Sequence, residues 1–363
     1  MAGGKDMETM NHPFPWLELM DRPAFCVKGG IVIAANSAAQ QRMVRTGMDI
    51  FDIVTHNRSA YEAFHNGSLF LTITVGEQSC NASVTRTNEY DIFTIIQTDE
   101  DAQLQALALA AQQLRIPLSN MMTVSDRLFA GFDQTDSDSR QQAAQINRNL
   151  FRMLRIISNM SDAGNYKNAV LSEKNTVNLT ALFDEIIDKI RTISENTQKK
   201  LSYTGLDFAV IGLANEEKLG RAVYNLLSNA LKFSPAEGTV SAKLSKNGNM
   251  LSFTVCNTNL EPVEDRTLWN RYHRSPAIED DRFGLGLGMT LVSSVACAHG
   301  GTVLVDHPMP AEIRITMTLV IEKSDSGDVR SPVFRIGDYA GGRDKGLLEL
   351  SEILSADAYQ DIN

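Results

Sequence analysis

Two long stretches with apolar residues at alternating spacings of three and four constrain this chain most. The first covers residues 101–131, where no glycine occurs before Gly131. Its apolar or small members are Leu104, Leu107, Ala111, Leu114, Leu118, Met121, Ser125 and Leu128. The second has Ile146, Leu150, Met153, Ile157 and Met160. A polar segment with helix-capping residues, GFDQTDSDS at 131–139, separates them. This heptad spacing predicts two helices joined by a turn.

Two helices of this length cannot bury both of their apolar stripes against each other alone. We therefore expect residues 99–170 to form an antiparallel helical hairpin that dimerises into a four-helix bundle. Two ordinary helices packed on the face of a domain remain the alternative.

The segments on either side of the hairpin mix helical and strand-like patterns. Residues 13–98 hold short β-like runs separated by turns, at 24–36, 69–75, 80–87 and 90–97, with a helical stretch at 37–46. This arrangement predicts a small α+β unit of sensor-domain size. Residues 171–322 alternate helix and strand patterns, which predicts an α/β sandwich with helices on one sheet face. The whole chain is therefore expected to be an α+β multidomain protein.

The two ends of the chain differ from these segments in composition. Residues 1–12 are small and polar, and we expect them to be disordered. Residues 323–363 form a polar, glycine-rich tail that ends in GLLELSEILSADAYQDI, where a short acidic amphipathic helix is predicted.

Composition excludes several classes of function. The chain has 34 Lys and Arg against 44 Asp and Glu, a net charge of -10, so general nucleic-acid binding is not expected. Four widely spaced cysteines without a CxxC pair indicate neither a disulfide framework nor a zinc site. No apolar run approaches the roughly 20 residues of a membrane span, and the N-terminus lacks a signal-peptide core. These features predict a cytoplasmic protein with no membrane span.

The strongest local motif is YNLLSNALKFSP at 224–235. On a helix, Asn225, Asn229 and Lys232 share one face, so two amides and an ammonium interrupt an otherwise apolar surface. Such amides need partners, which Mg²⁺ and a polyphosphate would supply. An amphipathic helix with an ordinary polar stripe is the alternative.

A second motif, RFGLGLGMTLVSSVACAHGGTV at 282–303, places Gly284, Gly286 and Gly288 just before a helical stretch. Glycines let backbone N–H groups approach phosphate, and a helix N-terminus favours anions. The motif is neither a Walker loop nor a good dinucleotide fingerprint. Taken alone it is weak evidence, and a flexible loop is the alternative.

In this order and spacing, the two motifs resemble the ATP-binding domain of sensor histidine kinases, in the gyrase–Hsp90–kinase–MutL (GHKL) superfamily. NLLSNALKFS is similar to the N box and GLGLGM to the second glycine box, while WNRYHR at 269–274 is similar to the aromatic box. FTVCNTN at 253–259 stands where the first glycine box is expected. AQQLRIPLSNM at 111–121 is similar to the phosphoacceptor motif SHELRTPL, and residues 13–98 look like a PAS sensor domain.

The resemblance implies ATP and Mg²⁺ as cofactors. It makes Asn229 the Mg²⁺ ligand, Lys232 a phosphate contact and Phe233 a neighbour of the nucleotide. The residues that would close over the phosphates are Gly284, Gly286, Leu287 and Gly288. Asn225 occupies the position of the water-activating Glu of the hydrolytic members, and an amide cannot act as that base. The kinase branch is therefore favoured over a gyrase-like ATPase.

The chain departs from the family at the phosphoacceptor motif. Gln112 stands at the histidine, Gln113 at the neighbouring acid and Ile116 at the Thr or Asn that positions water. A primary amide neither attacks a phosphoryl group nor takes up the proton. None of the six histidines lies in either predicted bundle helix, so autophosphorylation at the usual site is predicted to be absent. The flanking Arg115 and Pro117 are retained, which predicts preserved helix geometry.

The first glycine box is also altered. Asn257 stands at the Asp that reads the adenine amine, and Asn259 and Glu261 stand near the expected glycines. An amide accepts that hydrogen bond more weakly than a carboxylate, so reduced nucleotide affinity is expected.

Three hypotheses follow. The first is a cytoplasmic, dimeric protein of two-component signal transduction that binds Mg-ATP without a phosphoacceptor of its own. Its expected partner is a second copy or a competent histidine kinase, and a response regulator is a further candidate. The second is an active kinase that phosphorylates a histidine on a partner in trans. The third is a dimeric scaffold that binds no nucleotide.

Overall fold

The computed structural model describes residues 14–20, 22–76, 78–95, 99–129, 137–172, 174–195, 197–258, 287–309, 311–322, 340 and 342–360. The chain divides into two compact units, Met1–Gln97 and Thr98–Asn363. The predicted disordered stretch 1–12 lies outside the described residues, as does the first part of the tail, 323–339.

The first unit contains a five-stranded antiparallel sheet in the order β2-β1-β5-β4-β3. Its strands are β1 (Ala24–Lys28), β2 (Ile31–Ala35), β3 (Ser68–Val75), β4 (Gln78–Arg86) and β5 (Asp91–Ile95). Its short helices are α1 (Pro15–Glu18), α2 (Ser37–Gln41), α3 (Ile50–Ile53) and α4 (Arg58–Ala63).

The predicted strand–turn–strand over 24–36 is present, and its turn uses Gly29 and Gly30 at φ values of 60° and 82°. L-residues with side chains rarely adopt this left-handed region, so glycine fits both positions. The helix expected over 37–46 is shorter, because α2 ends at Gln41 and Met43 takes a positive φ of 70°. A residue at positive φ cannot continue a right-handed helix.

In the second unit, α5 (Asp99–Phe129) and α6 (Ser137–Ser172) pack along each other as the two helices of a hairpin. The heptad residues divide into two sets. Buried positions seven residues apart close the hairpin: Ala111, Leu118 and Ser125 on α5, with Leu150 and Ile157 on α6. The alternate positions remain exposed: Leu114, Met121 and Leu128 on α5, with Ile146 and Met153 on α6. Five residues of the predicted seam are therefore exposed in a single chain, whereas Leu107 and Met160 are half-buried and the side chain of Leu104 lies outside the described residues.

The rest of this unit is built on a second five-stranded sheet in the order β11-β12-β10-β9-β7. Its strands are β7 (Lys200–Thr204), β9 (Thr239–Asn247), β10 (Met250–Thr258), β11 (Val303–Asp306) and β12 (Glu312–Val320). All neighbours are antiparallel except β7 and β9. The short strands β6 (Asn175–Asn178) and β8 (Ile211–Ala214) form a separate antiparallel pair.

Three helices cover this sheet: α7 (Leu179–Ser194), α8 (Glu216–Phe233) and α9 (Leu287–Ala298). Along β10 the residues alternate between buried and half-buried, as expected when one face of a strand meets a helical layer. Phe253 on the buried face contacts Phe183 of α7, with ring centroids 4.9 Å apart. The mixed α+β class is thus confirmed. Within the described part of the chain, no helix has the length and hydrophobicity needed to cross a membrane.

The tail differs from the predicted amphipathic helix. It contains a single-turn helix α10 (Lys345–Glu349), a turn through 350–354 and a 3-10 turn (Ala356–Tyr359). Tertiary packing explains the breaks: Tyr359 is fully buried with its ring edge-on to Phe151 of α6, at 5.2 Å between centroids, and Gly346 lies against Ile193 of α7. We call residues 342–360 the tail cap.

Candidate functional site

Helix α8 carries the first motif and is fixed at both ends. Asn215 caps its start by accepting a hydrogen bond from the Lys218 backbone N–H at 3.0 Å. At its end, the Ser234 hydroxyl donates to the Ala230 carbonyl at 2.7 Å. Ends that are satisfied in this way hold the helix in register on the sheet, which sets the direction of its polar face.

The polar face of α8 is wider than the sequence motif indicated. Residues three or four apart place five polar side chains on one side: Lys218, Arg221, Asn225, Ser228 and Lys232. Lys218, Arg221 and Ser228 contact α6. Lys218 pairs with Asp162 at 2.6 Å, and Arg155 donates to the Ser228 hydroxyl at 2.9 Å. The Asn225 amide donates to the Arg221 carbonyl within the helix at 2.9 Å. Protein groups therefore satisfy much of this face.

The two motifs meet at Gly288. A β-carbon at this position would lie 2.8 Å from Asn225 Oδ1 and 3.8 Å from Asn229 Nδ2. The first of these distances is shorter than van der Waals contact, so a residue without a side chain suits this place. The structure thus brings Asn225, Asn229 and Gly288 together.

The start of α9 is anchored away from the sheet. Leu287 is buried and packs against Leu107 of α5 and Met160 of α6. The glycine-box end of this helix is therefore attached to the hairpin. The predicted contacts Gly284 and Gly286, the aromatic box at 269–274, and Asn259 and Glu261 all lie outside the described residues.

Two further predicted residues lie at the ends of their elements. Asn257 is buried near the end of β10, in the alternation that faces the helical layer, and its amide donates to the Thr258 carbonyl at 3.3 Å. Phe233 is the last residue of α8 and half-buried, with the Lys232 ammonium 5.5 Å from its ring centroid.

Lys232 forms an ion pair with a carboxylate that the sequence motifs did not indicate. Its ammonium lies 2.5 Å from Oε2 of Glu352 in the tail cap, and the same oxygen lies 3.3 Å from Nη1 of Arg155. Burial lowers the pKa of Lys232, against the opposing influence of the Glu352 charge. Burial alone would raise the pKa of Glu352, but Arg155 and Lys232 hold it below its ordinary value. The lowered pKa of Glu352 favours its ionised form near neutral pH.

Beneath this pair lies a buried ion cluster formed by Arg155, Asp162, Arg221 and Glu349. Glu349 is 0% exposed and accepts from Arg155 Nε at 3.2 Å and Arg221 Nε at 3.4 Å. Arg221 also pairs with Asp162. Two cations and two carboxylates balance, as buried charge requires. The cluster joins α6, α8 and the tail cap.

The altered phosphoacceptor motif lies on the surface of α5. Gln112, Gln113 and Ile116 are exposed, whereas Leu118 is buried in the hairpin and Arg115 is half-buried. Position 112 is therefore open to approach, and its amide side chain supplies neither nucleophile nor base.

His299, at the end of α9, has a structural role. Its Nε2 accepts from the Asn215 N–H at 3.4 Å, so Nδ1 carries the proton and donates to the Val295 carbonyl at 2.8 Å. Burial lowers the pKa of this imidazole, which keeps it neutral. The following Gly301 lies directly under the Thr318 carbonyl of β12.

Comparison with known proteins places this site in a recognised domain. Residues 214–324 match the family model described as histidine kinase-, DNA gyrase B- and HSP90-like ATPase. This segment contains α8, Gly288 and Asn257. The chain therefore carries a domain of that family, and the expected GHKL resemblance is confirmed.

Curated relatives are named as sensor kinases. The sensor histidine kinase CusS of Escherichia coli K12 is 28% identical over 203 residues, 54% of this chain and 41% of that protein. The histidine-protein kinase/phosphatase MprB of Mycolicibacterium smegmatis is 23% identical over 323 residues, 85% of this chain and 63% of that protein. The chain thus spans less than two thirds of the length of these relatives. Full-length ShkA, solved with AMPPNP, gives a TM-score of 0.48 at 18% identity, over 61% of this chain and 46% of ShkA.

Proposed function

We propose that this chain is a histidine-kinase-like protein of two-component signal transduction that binds Mg-ATP but has no phosphoacceptor histidine of its own. Residues 13–98 would be its PAS-like sensor and the α5–α6 hairpin its dimerisation element. The observation that carries the proposal is the meeting of Gly288 with Asn225 and Asn229 inside the segment that matches an ATPase model.

The described residues fit Mg-ATP in three respects. Gly288 leaves no side chain between the start of α9 and the two amides. Asn229 is half-buried beside Gly288, and its amide oxygen is of the kind that Mg²⁺ takes as a ligand. Lys232 already holds an oxyanion, the Glu352 carboxylate, which shows that its position suits an anionic partner. When bound, the nucleotide would supply a phosphoryl group for transfer. Since Asn225 cannot activate water, this chain would hold the nucleotide without hydrolysing it.

Nucleotide binding can be tested by calorimetry and thermal unfolding with Mg-ATP. We expect the wild-type chain to unfold at a higher temperature with millimolar Mg-ATP. Lys232→Ala should weaken binding about tenfold or more, because a hydrogen bond to a charged group is lost. Asn229→Asp should change the dependence on Mg²⁺, because it adds a charge at the metal ligand. The matched control is Lys243→Ala, which removes an exposed lysine of β9. A wild-type chain without a thermal shift would favour the non-nucleotide scaffold.

We further propose that the exposed residues of the heptad seam form the dimer interface. Leu114 is 50% exposed and Met121 49%, and they lie seven residues apart on one side of α5. With Leu128, Ile146 and Met153 they form a stripe of large apolar side chains. An apolar stripe of this length on a helical hairpin is typical of a bundle interface. A second copy of the chain is the partner that the stripe suits best, and a competent histidine kinase with the same heptad spacing would also fit.

Leu114→Glu should dissociate this dimer. A buried carboxylate at the centre of the interface would have no partner, whereas on a monomer it would face water. Light scattering at micromolar concentration should give a dimer for wild type and a monomer for the variant, with an unchanged melting temperature of the ATP-binding domain. Leu109→Glu, at a residue of α5 that is also exposed but lies off the stripe, should remain dimeric. A monomeric wild type would contradict the proposal.

A further inference from the structure

We infer that the tail cap is an internal competitor of nucleotide, because its Glu352 carboxylate occupies the lysine that would bind the phosphates. The inference rests on the proposed function, since it concerns the same site. It adds a regulatory element that lies beyond residues 214–324, the segment that matches the ATPase family.

The tail cap is a folded part of the unit. Its apolar side chains Leu348, Leu350, Leu354 and Tyr359 are buried. The Tyr359 hydroxyl donates to the Leu347 carbonyl at 2.7 Å, which holds the two turns of the cap together. Ion pairs fasten its start to the neighbouring helices, with Arg343 2.6 Å from Asp126 of α5 and Asp344 2.6 Å from Lys189 of α7. These anchors hold the cap beside the end of α8.

Glu352 competes with the nucleotide phosphates because it carries the same sign of charge and occupies the same lysine. The Lys232 side chain is 6% exposed, and the Glu352 carboxylate lies 2.5 Å from its ammonium. An ammonium is a compact point charge, so a phosphate that takes the same place must displace the carboxylate. Binding of the triphosphate and docking of Glu352 are therefore antagonistic. By linkage, each weakens the other by the same factor.

The neighbouring Glu349 shows why Glu352 is the releasable group. Glu349 is fully buried between Arg155 and Arg221, so its removal would take a shared partner from two buried guanidinium groups. Glu352 lies at the edge, with a side chain that is 15% exposed, in the turn between α10 and the 3-10 turn. The Glu352 side chain can leave Lys232 for solvent while the buried ion cluster stays intact.

The test compares the nucleotide affinities of the wild-type chain and of a variant. Glu352→Gln keeps the shape and removes the charge, and we expect Mg-ATP to bind about tenfold more tightly, within the usual range of coupling between sites. Adenosine, which has no phosphate, should bind both chains equally. The matched control is Asp357→Asn, which removes one exposed carboxylate from the 3-10 turn of the same cap. It should leave both affinities unchanged.

A second measurement uses the wild-type chain alone, so it does not depend on the variant folding. Saturating Mg-ATP should speed amide hydrogen exchange in residues 345–360 and slow it in α8. Tighter binding of Mg-ATP in Glu352→Gln than in wild type supports the inference. Equal ATP affinity of wild type and variant, with no faster exchange in the cap, overturns the inference and leaves the proposed function standing. If neither wild type nor variant binds ATP, both the inference and the proposed function are overturned.

Discussion

A chain carrying Gln112→His together with Gln113→Glu is expected to phosphorylate itself at position 112. The histidine supplies the nucleophile and the glutamate the base that takes up its proton, while Arg115 and Pro117 of the family's motif are already present. Gln112 is exposed on α5, so the new imidazole would face solvent where ATP can approach. General-base assistance contributes about 10²–10⁴-fold, and the double variant should exceed Gln112→His alone by that order. Acid-labile phosphate from radiolabelled ATP measures the gain.

The matched control has the same composition in reversed order, Gln112→Glu with Gln113→His. One residue turns the side chain about 100° around the helix, so this chain should stay unlabelled. Wild type should also stay unlabelled on both bundle helices, and acid-labile phosphate there would contradict the proposal directly. If the double variant binds ATP but gains no label, the ATP-binding domain does not reach position 112 productively.

Gly301→Ala is expected to destabilise the second unit by about 3 kcal/mol or more. A β-carbon at this position would overlap the Thr318 carbonyl oxygen, which belongs to the backbone of β12 and cannot turn aside. The turn after α9 would have to move off the sheet, and its Val320 N–H to His299 carbonyl bond of 2.9 Å would be strained. For a unit of this size the melting temperature should fall by about 6–12 °C, which calorimetry would measure.

Gly220→Ala is the control for this substitution. Gly220 lies inside α8, and the nearest atom to an added β-carbon is Cδ1 of Ile186 at 3.5 Å, an ordinary contact. Alanine is the better helix former, so this change should stabilise the chain by about 0.5–1 kcal/mol. Equal effects of the two substitutions would show that the Thr318 contact does not limit the turn after α9.

Local patterns predicted the elements that their own residues determine. The alternation of the strands, the two glycines at 29 and 30 and the heptad spacing of α5 and α6 act within a few turns of the chain, so the sequence reveals them. The shared face of Asn225, Asn229 and Lys232 follows from helical periodicity alone. Their approach to Gly288 came from the family resemblance, because periodicity does not indicate which helices meet.

Ion pairs between residues far apart in the chain could not be predicted from the sequence. Glu349 meets Arg155 across 194 residues and Glu352 meets Lys232 across 120. Nothing in the local pattern of the tail distinguishes these two acids from its solvent-facing ones. The tail helix ends at Glu349, and side chains on both sides of that end, Leu348 and Tyr359, are buried in tertiary contacts. Tertiary contacts of this kind override local helix preference.

The buried ion cluster also constrains how this chain can diverge. Loss of one member removes a partner from charges that stay buried, and breaking a buried ion pair in this way typically costs about 3–5 kcal/mol. Simultaneous replacement of two oppositely charged members is therefore expected to be tolerated better than replacement of a single member. Substitutions at Glu349 should then covary with those at Arg155 and Arg221. Although it lies beyond the segment that matches the ATPase family model, the tail cap is expected to evolve together with α8.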